Sequence, residues 1–83
     1  MTIKRRVEVF SAGCALCHEV INAVRQEAGS SCEVIVRTMM DSRVLRRAEE
    51  LGIRSVPAVV IDGKLASSTD IQVLRAAGLG KAP

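Results

Sequence analysis

Apolar and polar residues follow two periods along this chain, and the changes between them mark its elements. From about Cys14 to Ala28 the apolar residues Cys17, Val20, Ile21, Val24 and Ala28 recur at the spacing of one helix face. Gly29-Ser30-Ser31 stops that pattern. Before it, Arg6-Val7-Glu8-Val9-Phe10 is a β-branched and aromatic run, which predicts a strand broken by Ser11-Ala12-Gly13. After it, Glu33-Val34-Ile35-Val36-Arg37 has the continuous apolar middle of a buried parallel strand. A second helix runs from a cap at Asp41 or Ser42 to Leu51. It turns Val44, Ala48 and Leu51 inward and ends at Gly52.

Pro57 precedes a third strand, Ala58–Ile61, and Asp62-Gly63 is a strong hairpin signal leading into the short returning strand Lys64-Leu65-Ala66. Thr69-Asp70-Ile71-Gln72 reads as a capping box with Thr69 as N-cap. The last helix carries Ile71, Leu74 and Ala77 and ends at Gly78, leaving Leu79–Pro83 as a frayed tail. The order is β-α-β-α-β-β-α, a parallel crossover followed by an antiparallel hairpin. It predicts an α/β fold with a four-stranded mixed sheet flanked by three helices. Residues 1–83 form one domain, with the core at about residues 5–78.

Composition narrows the function classes. The 48% hydrophobic content of the 83 residues can build a core, and that core must be aliphatic, because Phe10 is the one aromatic residue. No apolar run approaches the roughly 18–20 residues of a membrane-spanning helix. The basic start Lys4-Arg5-Arg6 is not followed by a long apolar stretch, so no export signal is read and a cytoplasmic location is expected. The net charge of +3 reads as a solvated surface, and a chain without Trp or Tyr lacks the stacking platforms of a nucleic-acid binder.

Candidate chemistry lies in Cys14-Ala15-Leu16-Cys17. Three cysteines, an odd count, argue against a structural disulfide framework. The pair sits where the first strand turns into the first helix. Unpaired amides and the positive end of the helix dipole favour a thiolate there, lowering a thiol that would otherwise titrate near ~8.5. Cys14 is then the exposed nucleophile. Cys17, one turn deeper at the head of the apolar stripe, is the sulfur that resolves a mixed disulfide.

These features resemble the thioredoxin-like superfamily, at the length of a glutaredoxin. The resemblance rests on strand Val7–Phe10, the helix-opening CxxC, Ser55-Val56-Pro57 before strand Ala58–Ile61, the Asp62-Gly63 hairpin and the last helix. It implies a thiol–disulfide oxidoreductase that needs no organic cofactor. It also implies a cis Pro57 against the cysteine pair, with the Val56 backbone turned outward to pair with an extended substrate. Its substrate is a disulfide-bearing protein or a low-molecular-weight thiol. Glu8 lies six residues before Cys14, where thioredoxins carry a buried acid that handles the second cysteine's proton. The competing reading of Glu8 is a charge facing solvent from the strand. The spacer Ala15-Leu16 differs from the Pro-Tyr of glutaredoxins and the Gly-Pro of thioredoxins. Ala66-Ser67-Ser68-Thr69-Asp70 lacks the Gly-Gly with which glutaredoxins help hold glutathione. A thioredoxin-reductase-like flavoprotein or another dithiol is therefore the alternative reductant.

Other readings compete for the same residues. The two thiolates could carry a thiophilic metal, although with His18 they offer only three nearby ligands and structural zinc usually takes four. Cys14-Ala15-Leu16-Cys17-His18 also matches a haem attachment motif, which would require export, a second axial ligand and an all-helical pattern. His18 otherwise reads as an exposed helix residue or a cation that tunes the thiolate, and Cys32 as a small core hydrophobe or a resolving or intermolecular thiol. Met39 and Met40 read as strand-end core or rim residues. Arg43 and Arg47 read as an exposed helix face that could also meet a carboxylate of glutathione.

Overall fold

The computed structural model describes residues 3–82. Its elements are β1 (Arg5–Ser11), α1 (Ala15–Ala28), β2 (Cys32–Thr38), α2 (Ser42–Leu51), β3 (Ala58–Ile61), β4 (Lys64–Leu65) and α3 (Ile71–Ala76). The sheet order is β2-β1-β3-β4. β1 and β2 are parallel, with Val7 beside Val34 and Phe10 beside Arg37. β3 runs antiparallel to β1 and to β4.

Side chains alternate across a strand, so β1 serves two cores. Val7 and Val9 pack with Val59 and Ile61 of β3, and with Val20, Ile21, Val24 and Ala28 of α1 and Leu74 of α3. Phe10 points the other way and packs with Ala58, Val60 and Ala48 of α2, with Val44, Leu51 and Val56 at the margin. The result is three layers, α1 and α3 on one face of the sheet and α2 on the other. No helix among the described residues is long and apolar enough to cross a membrane.

The helix signals resolve in physical detail. Every residue of the predicted α1 stripe is buried, from Cys17 to Ala28. Of the two candidate caps on α2 it is Asp41 that serves, its Oδ1 accepting from the Arg43 amide at 2.8 Å. Gly52 and Ile53 close the helix by returning their amides to the carbonyls of Glu49 and Ala48. The hairpin turn places both Asp62 (φ 49°) and Gly63 (φ 82°) in the left-handed region, the geometry of a type I′ turn.

Three expectations are corrected. α3 is capped by Asp70, which accepts from the Gln72 amide at 2.8 Å, rather than by Thr69. Ser68 Oγ accepts from the Asp70 amide, which sets the cap one residue later. β2 is not a fully buried strand. It lies at the sheet edge, where only Cys32 is buried and Val36 is 39% exposed. Nor is the tail frayed through its described part. Leu79 is buried in the α1 core, and Arg5 donates to the carbonyls of Lys81 and Ala82 while pairing with Asp62 at 2.6 Å. Pro83 lies outside the described residues.

Gly80 locks this tail against α1. Its φ is +81°, and a Cβ there would stand 2.6 Å from the Glu27 carbonyl oxygen. Both the backbone conformation and the contact exclude a side chain. Gly80→Ala is expected to destabilise the fold by about 2 kcal/mol, read as a lower urea midpoint at unchanged slope.

Candidate functional site

The turn that carries Cys14 is built by its neighbours. Ser11 ends β1, and its Oγ accepts from the Gly13 amide at 3.0 Å. Gly13 adopts φ +78° with open space around it, so the backbone angle alone calls for glycine. Cys14 then takes an extended conformation as the N-cap of α1. Its carbonyl accepts the first helical hydrogen bond, from the His18 amide at 3.0 Å. Its Sγ accepts from the Cys17 amide at 3.1 Å. The sulfur therefore occupies the place of the oxygen in a Ser or Asp cap and satisfies one otherwise unpaired amide. No acidic residue lies in the first turn of α1, so no carboxylate there offsets the positive helix end.

The Sγ atoms of Cys14 and Cys17 are at bonding distance and form a disulfide, with Cα atoms 5.0 Å apart. Cys14 is exposed and Cys17 fully buried. The pair is thus asymmetric, one residue at the surface and the other in the core.

The peptide bond between Val56 and Pro57 is cis. Both residues enter β3, whose Ala58 pairs with Phe10 near the end of β1. They therefore sit at the sheet end from which the Cys14 turn departs. Two grooves open in this part of the molecule. One, of about 420 Å³, is lined by Arg54, Ser55, Pro57, Leu65 and the 66–69 loop. The other, a shallower one of about 440 Å³, lies between Leu16, Val20 and Ala23 of α1 and Ile71, with Glu19 and Asp70 at its sides. Ser68 and Thr69 line both. Leu16, the second spacer residue of the CxxC, is 56% exposed. Sequence reasoning gave no role to Leu16. Its apolar character inside a surface motif was the available signal.

Glu8 stands elsewhere, and neither sequence reading describes it fully. It does not face solvent, since it is 1% exposed. Its carboxylate lies on the α2 side of the sheet, alternating with the Val7 and Val9 that face α1. Arg37 Nε (3.1 Å) and Arg47 Nε (3.0 Å) both donate to its Oε1, and Arg47 Nη2 (2.8 Å) donates to Oε2. Burial pushes this carboxyl up, but the hydrogen bonds and charges of Arg47 and Arg37 outweigh it, and the net shift is downward. Two guanidinium groups therefore hold this carboxylate ionised on the face opposite α1.

The remaining candidates fall into place around this. Arg47 is committed to Glu8, and Arg43 pairs with the Asp41 cap at 3.0 Å. His18 is exposed, Cys32 is buried and free, and Met40 is exposed while Met39 packs beside Phe10. Among the described residues no group of three or more Cys, His, Asp or Glu is placed to hold a metal ion.

A parallel β-α-β unit joined to an antiparallel hairpin, with a CxxC disulfide at the mouth of the first helix, defines a thioredoxin-like protein. A family model described as a thioredoxin domain matches residues 5–73, and the chain belongs to that family. It is also similar to a protein of Acidithiobacillus ferrooxidans described as an uncharacterized 9.0 kDa protein in the mobE 3′ region. The two are 57% identical over 67 residues, which is 81% of this chain and 79% of the relative.

Proposed function

We propose that this protein is a thiol–disulfide oxidoreductase that cycles the Cys14–Cys17 pair between dithiol and disulfide. The observation that carries the reading is the asymmetry of the pair: an exposed cysteine capping α1 and a buried partner one turn on. In the reduced protein the Cys14 thiolate attacks one sulfur of a substrate disulfide. The substrate S–S bond breaks, its leaving sulfur takes up a proton, and Cys14 holds the other half as a mixed disulfide. Cys17, as thiolate, then attacks Cys14 Sγ. That step releases the second substrate thiol and leaves Cys14–Cys17 oxidised. Two electrons and two protons have moved to the substrate, and an external dithiol or flavoprotein reductase returns them. No organic cofactor takes part.

The substrate is a disulfide-bearing protein or a low-molecular-weight disulfide. The Val56 backbone and Pro57 would position it as a short added strand. The reductant is a thioredoxin-reductase-like flavoprotein or another dithiol, with glutathione as the alternative. A reducing, cytoplasmic setting suits a pair that must return to the dithiol. The test is dithiothreitol-driven reduction of insulin. Catalytic amounts of the protein should bring forward precipitation of the free B chain. A time course no faster than dithiothreitol alone would overturn the proposal.

A further inference from the structure

β2 pairs with β1 alone among the described strands, so its outer edge presents seven residues of backbone with no strand beside it. Free edges of this length normally carry a defence, such as proline, a bulge or repelling charges. β2 has no proline or glycine, and its pairing to β1 runs without interruption from Cys32 to Thr38. It also keeps Val34, Ile35 and Val36 at its centre, with Val36 39% exposed.

Its two charges are placed symmetrically about Ile35. In an antiparallel pair of two β2 strands centred there, Glu33 lies opposite the partner's Arg37 and Val34 opposite the partner's Val36. Ile35 meets its own copy on the two-fold axis. A parallel, in-register pair would set Glu33 against Glu33 and Arg37 against Arg37. An antiparallel pair centred on Val34 or Val36 would break the charge match. Opposite charges directly across two strands are favourable and like charges unfavourable, so one register stands out.

The side chains are free to make these contacts. Glu33 is exposed and, although Arg6 is its register neighbour on β1, it makes no ion pair among the described residues. Arg37 spends Nε and Nη2 on Glu8, which leaves Nη1 for a second carboxylate. We propose that the β2 edge is a self-association surface, on which two copies pair antiparallel about Ile35 into one continuous eight-stranded sheet. The interface is isologous and closes at two subunits.

The test is sedimentation velocity of the full chain at about 100 μM under reducing conditions, which excludes a Cys32-linked dimer. The expected species has twice the 8.9 kDa chain mass. Glu33→Arg, which faces arginine with arginine, is expected to weaken dimerisation at least tenfold while leaving the circular dichroism spectrum unchanged. A monomeric wild type overturns the proposal, and so does a dimer indifferent to Glu33→Arg. If the variant does not fold, hydrogen exchange of the wild type decides. Concentration-dependent protection confined to β2 supports the pairing, and protection independent of concentration overturns it.

Discussion

Replacing Cys14 by serine is expected to reduce insulin reduction to the rate of dithiothreitol alone, with the fold intact. Cys14 is exposed and caps α1, and a serine hydroxyl caps a helix at least as well. The loss would therefore be chemical. A hydroxyl at neutral pH cannot replace a thiolate as nucleophile on sulfur. Cys17→Ser should behave differently. Its open neighbour still attacks once, so one equivalent of substrate thiol is released, but no sulfur remains to resolve the adduct. In a single-turnover mixture of the pre-reduced variant with no added thiol to resolve the adduct, the reaction stops after that single event. Equal turnover by wild type and Cys14→Ser would remove the nucleophile from the account.

Glu8→Gln is expected to cost about 2–3 kcal/mol of stability, read from urea unfolding at pH 7. Removing one member of a buried ion pair costs about 3–5 kcal/mol when the partner's charge is stranded. Here the two arginines are 29% and 43% exposed and regain some water, which lowers the figure. The pH dependence has a definite sign. Glu8 has a lower pKa folded than the ordinary value of 4.5, so the unfolded chain binds its proton first on acidification. Its stabilisation is complete above that ordinary value and is lost as pH falls through the lowered folded value. Glu27 and Asp41, lowered by Arg75 and Arg43, act in the same direction from exposed sites. The difference between wild type and Glu8→Gln isolates the buried group and should shrink in acid. Disulfide exchange should remain within about twofold of wild type, since Glu8 anchors β1, β2 and α2 on the face away from α1. A tenfold loss of exchange with an altered pH profile would instead restore Glu8 as a proton carrier.

What could be read from the sequence was local. The α1 stripe at Cys17, Val20, Ile21, Val24 and Ala28 follows from helical spacing, and burial agrees at every position. The strand-to-helix turn before Cys14 and the Asp62-Gly63 hairpin are short-range events set by backbone preferences. What escaped depended on distant pairing. Val34-Ile35-Val36 has the pattern of a buried strand, but strand order, which places β2 at the edge, is decided by contacts across the whole sheet. Glu8 takes its partners from 29 and 39 residues away, so no local pattern announces its burial. Leu79 is a single apolar residue beyond the last helix, and only Arg5 and Gly80 reveal that the tail is docked. Thr69 and Asp70 are both good caps, and Ser68 Oγ chose between them.

The most direct test of the central claim, that Cys14 attacks and Cys17 resolves, is to map the adduct on Cys17→Ser. The reduced variant is mixed with a disulfide substrate, quenched in acid and digested for mass spectrometry. One substrate half bound through Cys14, with Cys32 unmodified, is the expected result. Adducts on Cys32, or a Cys14→Ser variant that accumulates them on Cys17 while Cys14 in Cys17→Ser stays free, would contradict it.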